Sequence, residues 1–354
     1  MDMIDRYFEK KLITNYHTKR NYRKGIENYF DTIKKDLKTY FKNKNDYEKD
    51  IGKYYLAIDQ FPPMTKKNRV NAIKQFLSCY NREIKGLEIW DTISHRLRGA
   101  QSITEETSLD KNDLKKLLQY ADLRGKTIFL VMSSSGCRIG EIVQLIPDDI
   151  HLNEDPARIV FRAEIVKGQK NKRTSFISNE AKESLKAWMK IRDKYLESAV
   201  KKSTFYEKKE IDDRVFPMTD VNVRLIWKNI VNKAGKPFNE VDKKTNRLKC
   251  HPHSLRKFFR SYLGNADLAE HLMGHTGYLS TYRQYNEKQL AIEYLKYINN
   301  VTVFESQPDF SGIHHELKEK DDLIKDMQKK IDELDWAVRK LSIQALTKDD
   351  EKKK

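Results

Sequence analysis

The sequence is poor in cysteine, with three in 354 residues, and it contains only 13 glycines and 8 prolines. The cysteines, Cys79, Cys137 and Cys250, lie far apart, so they indicate no disulfide framework. Cys250 is close to His251 and His253, but a structural zinc site needs a fourth ligand and a regular spacing, and neither is evident. The sequence therefore predicts no bound metal, and we expect no other cofactor.

Long apolar runs are also missing. No stretch approaches the roughly 18 apolar residues that a membrane helix needs. The acidic start, residues 1–5, lacks the apolar core of a signal peptide. We therefore expect a cytoplasmic protein without a membrane partner.

Acidic residues are outnumbered, with 52 Asp and Glu against 69 Lys and Arg, which gives a net charge of +17. Such an excess favours a polyanionic partner, above all nucleic acid. The alternative is a lysine-rich surface that only keeps the protein in solution. The length and a hydrophobic content of 38% indicate two or three folded units.

Residues 1–100 have apolar residues at helical spacing, and we predict that they form a helical DNA-binding domain. One basic stretch with interleaved aromatic residues supplies four candidate DNA contacts, namely Lys19, Arg20, Arg23 and Lys24. A solvated helix face is the alternative interpretation of these charges. Residues 101–108 are predicted to be a linker.

Residues 109–300 combine helical patterns with a strand signal and are predicted to form a separate domain of mixed α and β structure. Asp110 is placed to cap a helix. The β-branched, partly alternating stretch 158–166 and the stretch 173–177 indicate two strands of a hairpin. Three basic residues near its tip are further candidate DNA contacts, namely Lys170, Lys172 and Arg173.

Residues 313–346 differ from the rest of the chain. Leu, Ile, Met and Val recur at the a and d positions of a heptad repeat, with Lys320 as the one charged exception. We predict a coiled-coil tail. The predicted fold class is therefore mainly α with a small β-sheet (α+β), extended by this tail.

Five features follow one another along residues 109–300. Each is weak alone, because an Arg-x-x-Glu pair is usually a surface salt bridge and the chain has 18 tyrosines. In order, the features are Arg138 with Glu141, Lys167 at the hairpin tip, His253 with Arg256, His275 after a glycine, and Tyr285.

This order resembles the catalytic set of the tyrosine recombinase family, which includes phage integrases and the Xer and Cre recombinases. Residues 136–141, Gly-Cys-Arg-Ile-Gly-Glu, resemble the family's Gly-x-Arg-x-x-Glu box. Residues 272–275, Leu-Met-Gly-His, resemble its Leu-Gly-His box. The resemblance covers roughly residues 10–298 and implies a core-binding domain followed by a recombinase catalytic domain. The coiled-coil tail also resembles that of archaeal integrase-like proteins.

The sequence departs from the family pattern at two places. The hairpin tip is one residue longer than the common form, which leaves Lys170 as a rival to Lys167. The step from His275 to the tyrosine is also one residue longer, and Tyr282 is a rival nucleophile. The usual spacing from Ser-Thr favours Tyr285.

Elementary chemistry supports the roles. Arginine is always protonated and binds two phosphate oxygens at once, so Arg138 and Arg256 can clamp the transition state of phosphoryl transfer. His253 can take the proton of a tyrosine hydroxyl, while a lysine can protonate the leaving 5′ oxygen. We expect His275 to donate a hydrogen bond to a non-bridging oxygen and Glu141 to orient Arg138 or His253.

The resemblance implies cleavage through a 3′-phosphotyrosine, with recombination by a homotetramer at specific DNA sites through a Holliday junction. Two rival functions remain open. A type IB topoisomerase would relax DNA as a monomer without a specific site. A DNA-binding regulator on the same scaffold would form no covalent adduct.

Overall fold

The computed structural model describes residues 2–166, 168, 171–202, 211–275, 286–304, 327–328 and 330–331. Within these residues the chain is mainly helical with two small sheets, which confirms the predicted fold class. It divides into two compact units, the first comprising Met1–Glu105 with Val241–Arg247 and the second Glu106–Glu240 with Leu248–Lys354. No helix in the described part combines the length and the apolar character needed to span a membrane.

The first unit is helical around an aromatic core. Its helices are α1 (Met3–Lys10), α2 (Tyr16–Ile33), α3 (Tyr47–Ala57), α4 (Pro63–Tyr80) and α5 (Ile89–Arg96). A 3-10 turn at Arg82–Gly86 joins the last two. Asn15 caps α2 by accepting a hydrogen bond from the amide of Thr18, and α4 begins at a proline, whose missing amide proton costs nothing in a first turn. Tyr29, Tyr54 and Phe76 are fully buried in the core.

The second unit contains the remaining helices and a three-stranded sheet. Its helices are α6 (Lys111–Leu118), α7 (Leu123–Ser135), α8 (Ile139–Ile142), α9 (Asn179–Lys201), α10 (Asp220–Ala234), α11 (His253–Tyr262), α12 (Ala266–Met273) and α13 (Glu287–Val301). Its strands are β1 (Ile150–His151), β2 (Arg158–Phe161) and β3 (Arg173–Phe176). In the sequence, a short hairpin of β4 (Val241–Asp242) and β5 (Arg247–Leu248) follows α10 and precedes α11, and its residues Val241–Arg247 belong to the first unit. Asp110 caps α6 in a reciprocal capping box with Asp113, as predicted.

The strands β1, β2 and β3 pair in that order, and both pairings are antiparallel. The predicted first strand was too long, because β2 ends at Phe161 rather than at residue 166. Phe161 is paired with Arg173, the first residue of β3, and the described residues offer no partner strand to the backbone beyond it. Residues 162–166 turn instead, and Arg162 forms an ion pair with Asp149 at 2.9 Å.

Helix α7 lies at the centre of the second unit, and nearly all of its residues are buried. It packs against α9 and α11. Its last carbonyl groups are bound from outside the helix, since Ser175 Oγ donates to the oxygen of Ser135 and Tyr294 Oη to that of Ser134, both at 2.8 Å. These bonds fix the end of α7, from which the chain passes directly to Arg138.

The predicted coiled coil, residues 313–346, lies almost entirely outside the described residues. Of this segment the structure describes Met327, Gln328, Lys330 and Ile331, whose backbone is helical. The coiled coil stays a prediction.

Candidate active site

The turn after α7 requires a glycine. Gly136 has a φ of +64°, a backbone conformation that side chains disfavour. A Cβ at this position would lie 2.9 Å from Cγ of Met273 and closer still to the ring of Phe259 on α11. The turn that carries Arg138 is therefore packed directly against α11, which carries His253 and Arg256.

Glu141 fixes the position of Arg138. Nη1 of Arg138 donates to one carboxylate oxygen at 2.8 Å, and the Arg138 amide donates to the other at the same distance. Glu141 is 1% exposed, whereas about a third of the Arg138 side chain remains open to solvent. Glu141 therefore anchors Arg138 from behind and leaves its outer part available to a ligand, which agrees with one of the two predicted orienting roles.

Arg256 is buried, and backbone carbonyls hold it. It donates to the oxygens of Gly136 and Met273, the latter at 2.8 Å. Burial, followed by the charge of Arg138, lowers its pKa to about 10, which leaves it protonated at neutral pH. A buried guanidinium this close to a second one is costly unless an anion offsets the charge.

His275 lies next to Arg256. Nη2 of Arg256 donates to Nε2 of His275 at 2.8 Å, and Nδ1 of His275 donates to the Glu270 carboxylate. Gly274 ends α12 with a φ of +71° and turns the chain so that His275 faces Arg256. Burial favours the neutral form of Glu270, but hydrogen bonds from Arg260 and His275 outweigh it, so the pKa of Glu270 lies below its ordinary value.

His253 begins α11 and keeps contact with solvent. Partial burial of its ring, reinforced by the neighbouring His251, lowers its pKa below that of an ordinary histidine. The ring is therefore neutral at pH 7 and has a lone pair with which to accept a proton. The rings of His251 and His253 stack with their centres 6.2 Å apart.

The burial of Arg173 contradicts the prediction that this residue contacts DNA. Arg173 is 6% exposed and forms an ion pair with Glu141 at 2.6 Å. It points inward because successive side chains of a strand face opposite sides of the sheet, and this position of β3 faces the core.

Arg138, Glu141, Arg173 and Arg256 form what we call the arginine cluster. The cluster contains three arginines and one carboxylate, which pairs with Arg138 and Arg173, so two positive charges are in excess.

Several predicted residues cannot be placed, because Lys167, Lys170, Tyr282 and Tyr285 lie outside the described residues. Lys172 is exposed beside β3. In the described part of the chain, no group of three His, Cys, Asp or Glu side chains could hold a metal ion, so Cys250 and its histidine neighbours do not form one.

The four basic candidates of the first unit all lie on α2, and they differ in their surroundings. Arg20 and Lys24 are exposed, and Lys19 is partly so. Arg23 instead binds the carboxylates of Asp2 and Asp5, the former at 2.8 Å. Because two carboxylates already neutralise its charge, Arg23 is a weaker candidate for a phosphate contact than its neighbours.

Sequence reasoning missed Glu270. It lies five residues before His275 with no motif to mark it, and only the fold of α12 brings the two side chains together. It also missed the inward role of Arg173, because a basic residue beside a basic hairpin tip gives no sign of burial.

Comparison with known proteins identifies the family of the chain that carries this cluster. A sequence profile of the phage integrase family matches residues 107–291, which is more than half of the chain. The tyrosine recombinase XerD of Rickettsia bellii (strain RML369-C) is 29% identical over 200 residues, and the alignment covers 51% of this chain and 59% of that protein. The chain thus matches less than two thirds of that relative's length.

Two solved structures are similar in fold. The Tn1549 transposon integrase in complex with transposon right end DNA has a TM-score of 0.55 at 15% identity, over 84% of this chain and 99% of that one. A lambda integrase tetramer bound to a Holliday junction has a TM-score of 0.53 at 16% identity, over 81% and 79%. The profile match covers Arg138, Glu141, His253, Arg256 and His275, and the protein therefore belongs to the phage integrase family.

Proposed function

We propose that this protein is a site-specific DNA recombinase of the tyrosine type, which breaks and rejoins DNA through a covalent phosphotyrosine. The observation that carries the proposal is the arginine cluster with His275 beside it. Its excess positive charge is held by buried hydrogen bonds, and its outermost cation, Arg138, remains partly exposed. Such a site suits a phosphodiester, whose transition state gathers negative charge on its oxygens.

In the proposed cleavage step, the hydroxyl oxygen of Tyr285 attacks the phosphorus. A bond forms between that oxygen and the phosphorus while the bond to the 5′ oxygen breaks. The phenol proton passes to His253, whose lowered pKa keeps it neutral and able to accept. Lys167 gives a proton to the leaving 5′ oxygen. The products are a 3′-phosphotyrosine and a free 5′ hydroxyl.

Arg138 and Arg256 stabilise the charge that develops on the non-bridging oxygens. Because backbone carbonyls and Glu141 already hold the two guanidinium groups, little reorganisation is needed as the reaction proceeds. His275 lies against Arg256 and can donate to the same phosphate once a proton is on Nε2. Glu270 fixes the orientation of the ring by accepting from Nδ1.

Rejoining reverses the step with a 5′ hydroxyl as the nucleophile. The phosphotyrosine linkage conserves the energy of the broken bond, so neither ATP nor a metal ion has to supply it. When the hydroxyl comes from a second duplex, strands are exchanged, and two exchanges pass through a Holliday junction.

The proposal assigns the rest of the chain as follows. Residues 1–100 bind DNA beside the cleavage site, 101–108 link them to the catalytic domain at 109–300, and the tail at 313–346 joins protomers. The partners are then a duplex with specific attachment sites and three further copies of this chain, in the cytoplasm. The lambda integrase tetramer on a Holliday junction supports this arrangement by similarity of fold.

The test uses a library of nicked duplexes with a randomised central segment, so that cleavage next to the nick traps the covalent product. A recombinase is expected to yield SDS-resistant adducts in which particular sequences are enriched. Adducts without enrichment, together with plasmid relaxation, would instead indicate a type IB topoisomerase. Salt-sensitive binding without any adduct would indicate a regulator.

A further inference from the structure

Arg173, which forms a buried ion pair with Glu141, has no role of its own in the cleavage steps proposed above. Arg173 lies on β3, directly after the hairpin tip, and its Nη2 donates to Glu141 Oε2 at 2.6 Å. The same oxygen accepts the Arg138 amide, while the other accepts the Arg138 side chain. Arg173 therefore contacts Glu141, which in turn holds Arg138, the residue that would bind the phosphate.

Arg173 also reaches the other side of the site. Its Nη1 donates to the carbonyl oxygen of Leu272, in the last turn of α12. The next carbonyl, that of Met273, accepts from Arg256, and His275 follows two residues later. One guanidinium thus connects the turn that carries Arg138 with the helix end that places His275.

The plane of this guanidinium is fixed from a third direction. Its central carbon lies 4.1 Å from the ring centre of Phe161, which is fully buried on the adjacent strand. A planar group with two acceptors and a ring against one face has a single orientation. A lysine at this position could supply the positive charge, but its ammonium group lacks the planar set of N–H donors with which the guanidinium reaches both acceptors.

We infer that Arg173 is a positioning residue, which sets Glu141 and Arg138 on one side and His275 on the other in register for DNA cleavage. The inference rests on the proposed function. Without Arg173, the buried Glu141 carboxylate would have Arg138 as its only cation within ion-pair distance among the described residues. Glu141 would then draw Arg138 inward, away from the phosphate.

The test compares Arg173→Lys and Arg173→Met with Arg192→Met as a matched control. Arg192 is also a mostly buried arginine of the second unit, and it donates to the backbone carbonyls of Asp212 and Arg214 and to the carboxylate of Asp193. None of these bonds involves a member of the arginine cluster. Both methionine variants lose one positive charge and comparable bonds.

Three quantities are measured for each variant: thermal stability, DNA affinity and the rate of adduct formation at saturating protein. We expect Arg173→Lys to slow adduct formation about 100-fold, because a misplacement of about 1 Å is sufficient for such a loss. Its DNA affinity should stay near that of the parent, and its melting temperature should fall no further than that of Arg192→Met. Arg192→Met should lower the melting temperature but change the rate by less than about threefold.

If Arg173 serves folding alone, Arg173→Lys should behave as the control does, with a lower melting temperature and a rate of adduct formation within about threefold of the parent. That result would overturn the inference. Hydrogen exchange of the backbone gives a second readout that does not depend on activity. Peptides covering residues 136–142 and 270–275 should exchange faster in Arg173→Lys, while those of the first unit should not change.

If the parent protein forms no adduct, the proposed function fails, and hydrogen exchange alone then decides whether Arg173 couples the two segments. Unchanged exchange in both segments would overturn the coupling. A double variant, Arg173→Met with Glu141→Gln, should lose less activity than the sum of the two single losses, because the two residues share one contact. Additive losses would contradict the inference.

Discussion

Arg138 and Arg256 illustrate how two residues of one type divide a task within a site. Arg256 is buried and bound to carbonyl oxygens, so it belongs to the framework as much as to the chemistry. Arg138 is held at one end by Glu141 and is partly exposed at the other. Arg138 is therefore the better residue with which to separate catalysis from folding.

Replacing Arg138 with alanine should slow adduct formation by about 100- to 1000-fold, which is the usual cost of removing one donor from a developing oxyanion. DNA affinity should fall much less, since it is spread over many phosphate contacts. Single-turnover adduct formation and equilibrium binding, measured at one salt concentration, separate the two effects. Equal losses in both would make Arg138 a binding residue only.

The lowered pKa of His253 makes a prediction about pH. A general base must be neutral, and a lower pKa extends its neutral form to more acid solution. Adduct formation should therefore hold its rate as the pH falls to about 6.5, the ordinary histidine pKa, and decline only below it. His253→Gln should form the adduct slowly, and its rate should not show this decline in acid solution. A decline that begins above pH 7 would contradict the assignment of His253 as the base.

Individual residues of the site also show what could be predicted from the sequence and what could not. Arg138, Glu141 and Arg256 could be chosen from the sequence because their spacing matches a family pattern. Arg173 was misjudged, because burial depends on which face of a strand meets the core, and a four-residue strand gives too short a pattern to decide this.

At the scale of elements, the turn between α7 and α8 holds the site together. Its glycine is in contact with α11, so the helix that carries Arg256 can approach the turn that carries Arg138 only while residue 136 has no side chain. The sequence indicated a turn here but not the close contact, since Phe259 lies 123 residues further along the chain.

Gly136→Ala should lower the free energy of unfolding by at least about 2 kcal/mol, because it combines a strained φ with overpacking against Phe259 and Met273. Gly140→Ala is the matched control, since a Cβ there has open space and residue 140 lies within α8. It should be neutral or slightly stabilising. Urea denaturation measures both. Similar losses in the two variants would show that close packing at Gly136 is not the cause.

Periodicity correctly predicted that residues 1–100 are helical, because apolar residues recur over several turns of α2 and α4. It overestimated β2, since the extent of a strand depends on its partner. The β-branched run continues to residue 166, but β3 offers no pairing beyond Phe161.

At the scale of the whole molecule, the proposed function requires several copies of the chain to assemble before strands can be exchanged. The tail is the candidate element, with apolar residues at heptad spacing, and residues 313–354 contain 11 acidic and 11 basic residues. Met327 and Ile331, which are four residues apart, are each more than half exposed in the single chain. An apolar seam of this kind is stabilised by pairing with another copy.

Ile331→Asp combined with Val338→Asp should therefore lower the oligomer mass in solution and impair recombination between two duplexes. Cleavage by protomers already bound to a site should survive, because the catalytic residues are untouched. Sedimentation analysis measures the mass, and adduct formation measures cleavage. An unchanged mass would show that the tail does not join protomers.

The central claim is that this protein links itself to DNA through one tyrosine, and the most direct measurement is to identify that residue. Adducts trapped on nicked duplexes are digested with nuclease and protease, and the nucleotide-bearing peptide is sequenced by mass spectrometry. The account predicts a 3′-phosphotyrosine at Tyr285, absent in Tyr285→Phe and retained in Tyr282→Phe. Modification of Tyr282 would move the nucleophile by three residues, and the absence of any nucleotide-bearing tyrosine would contradict the claim.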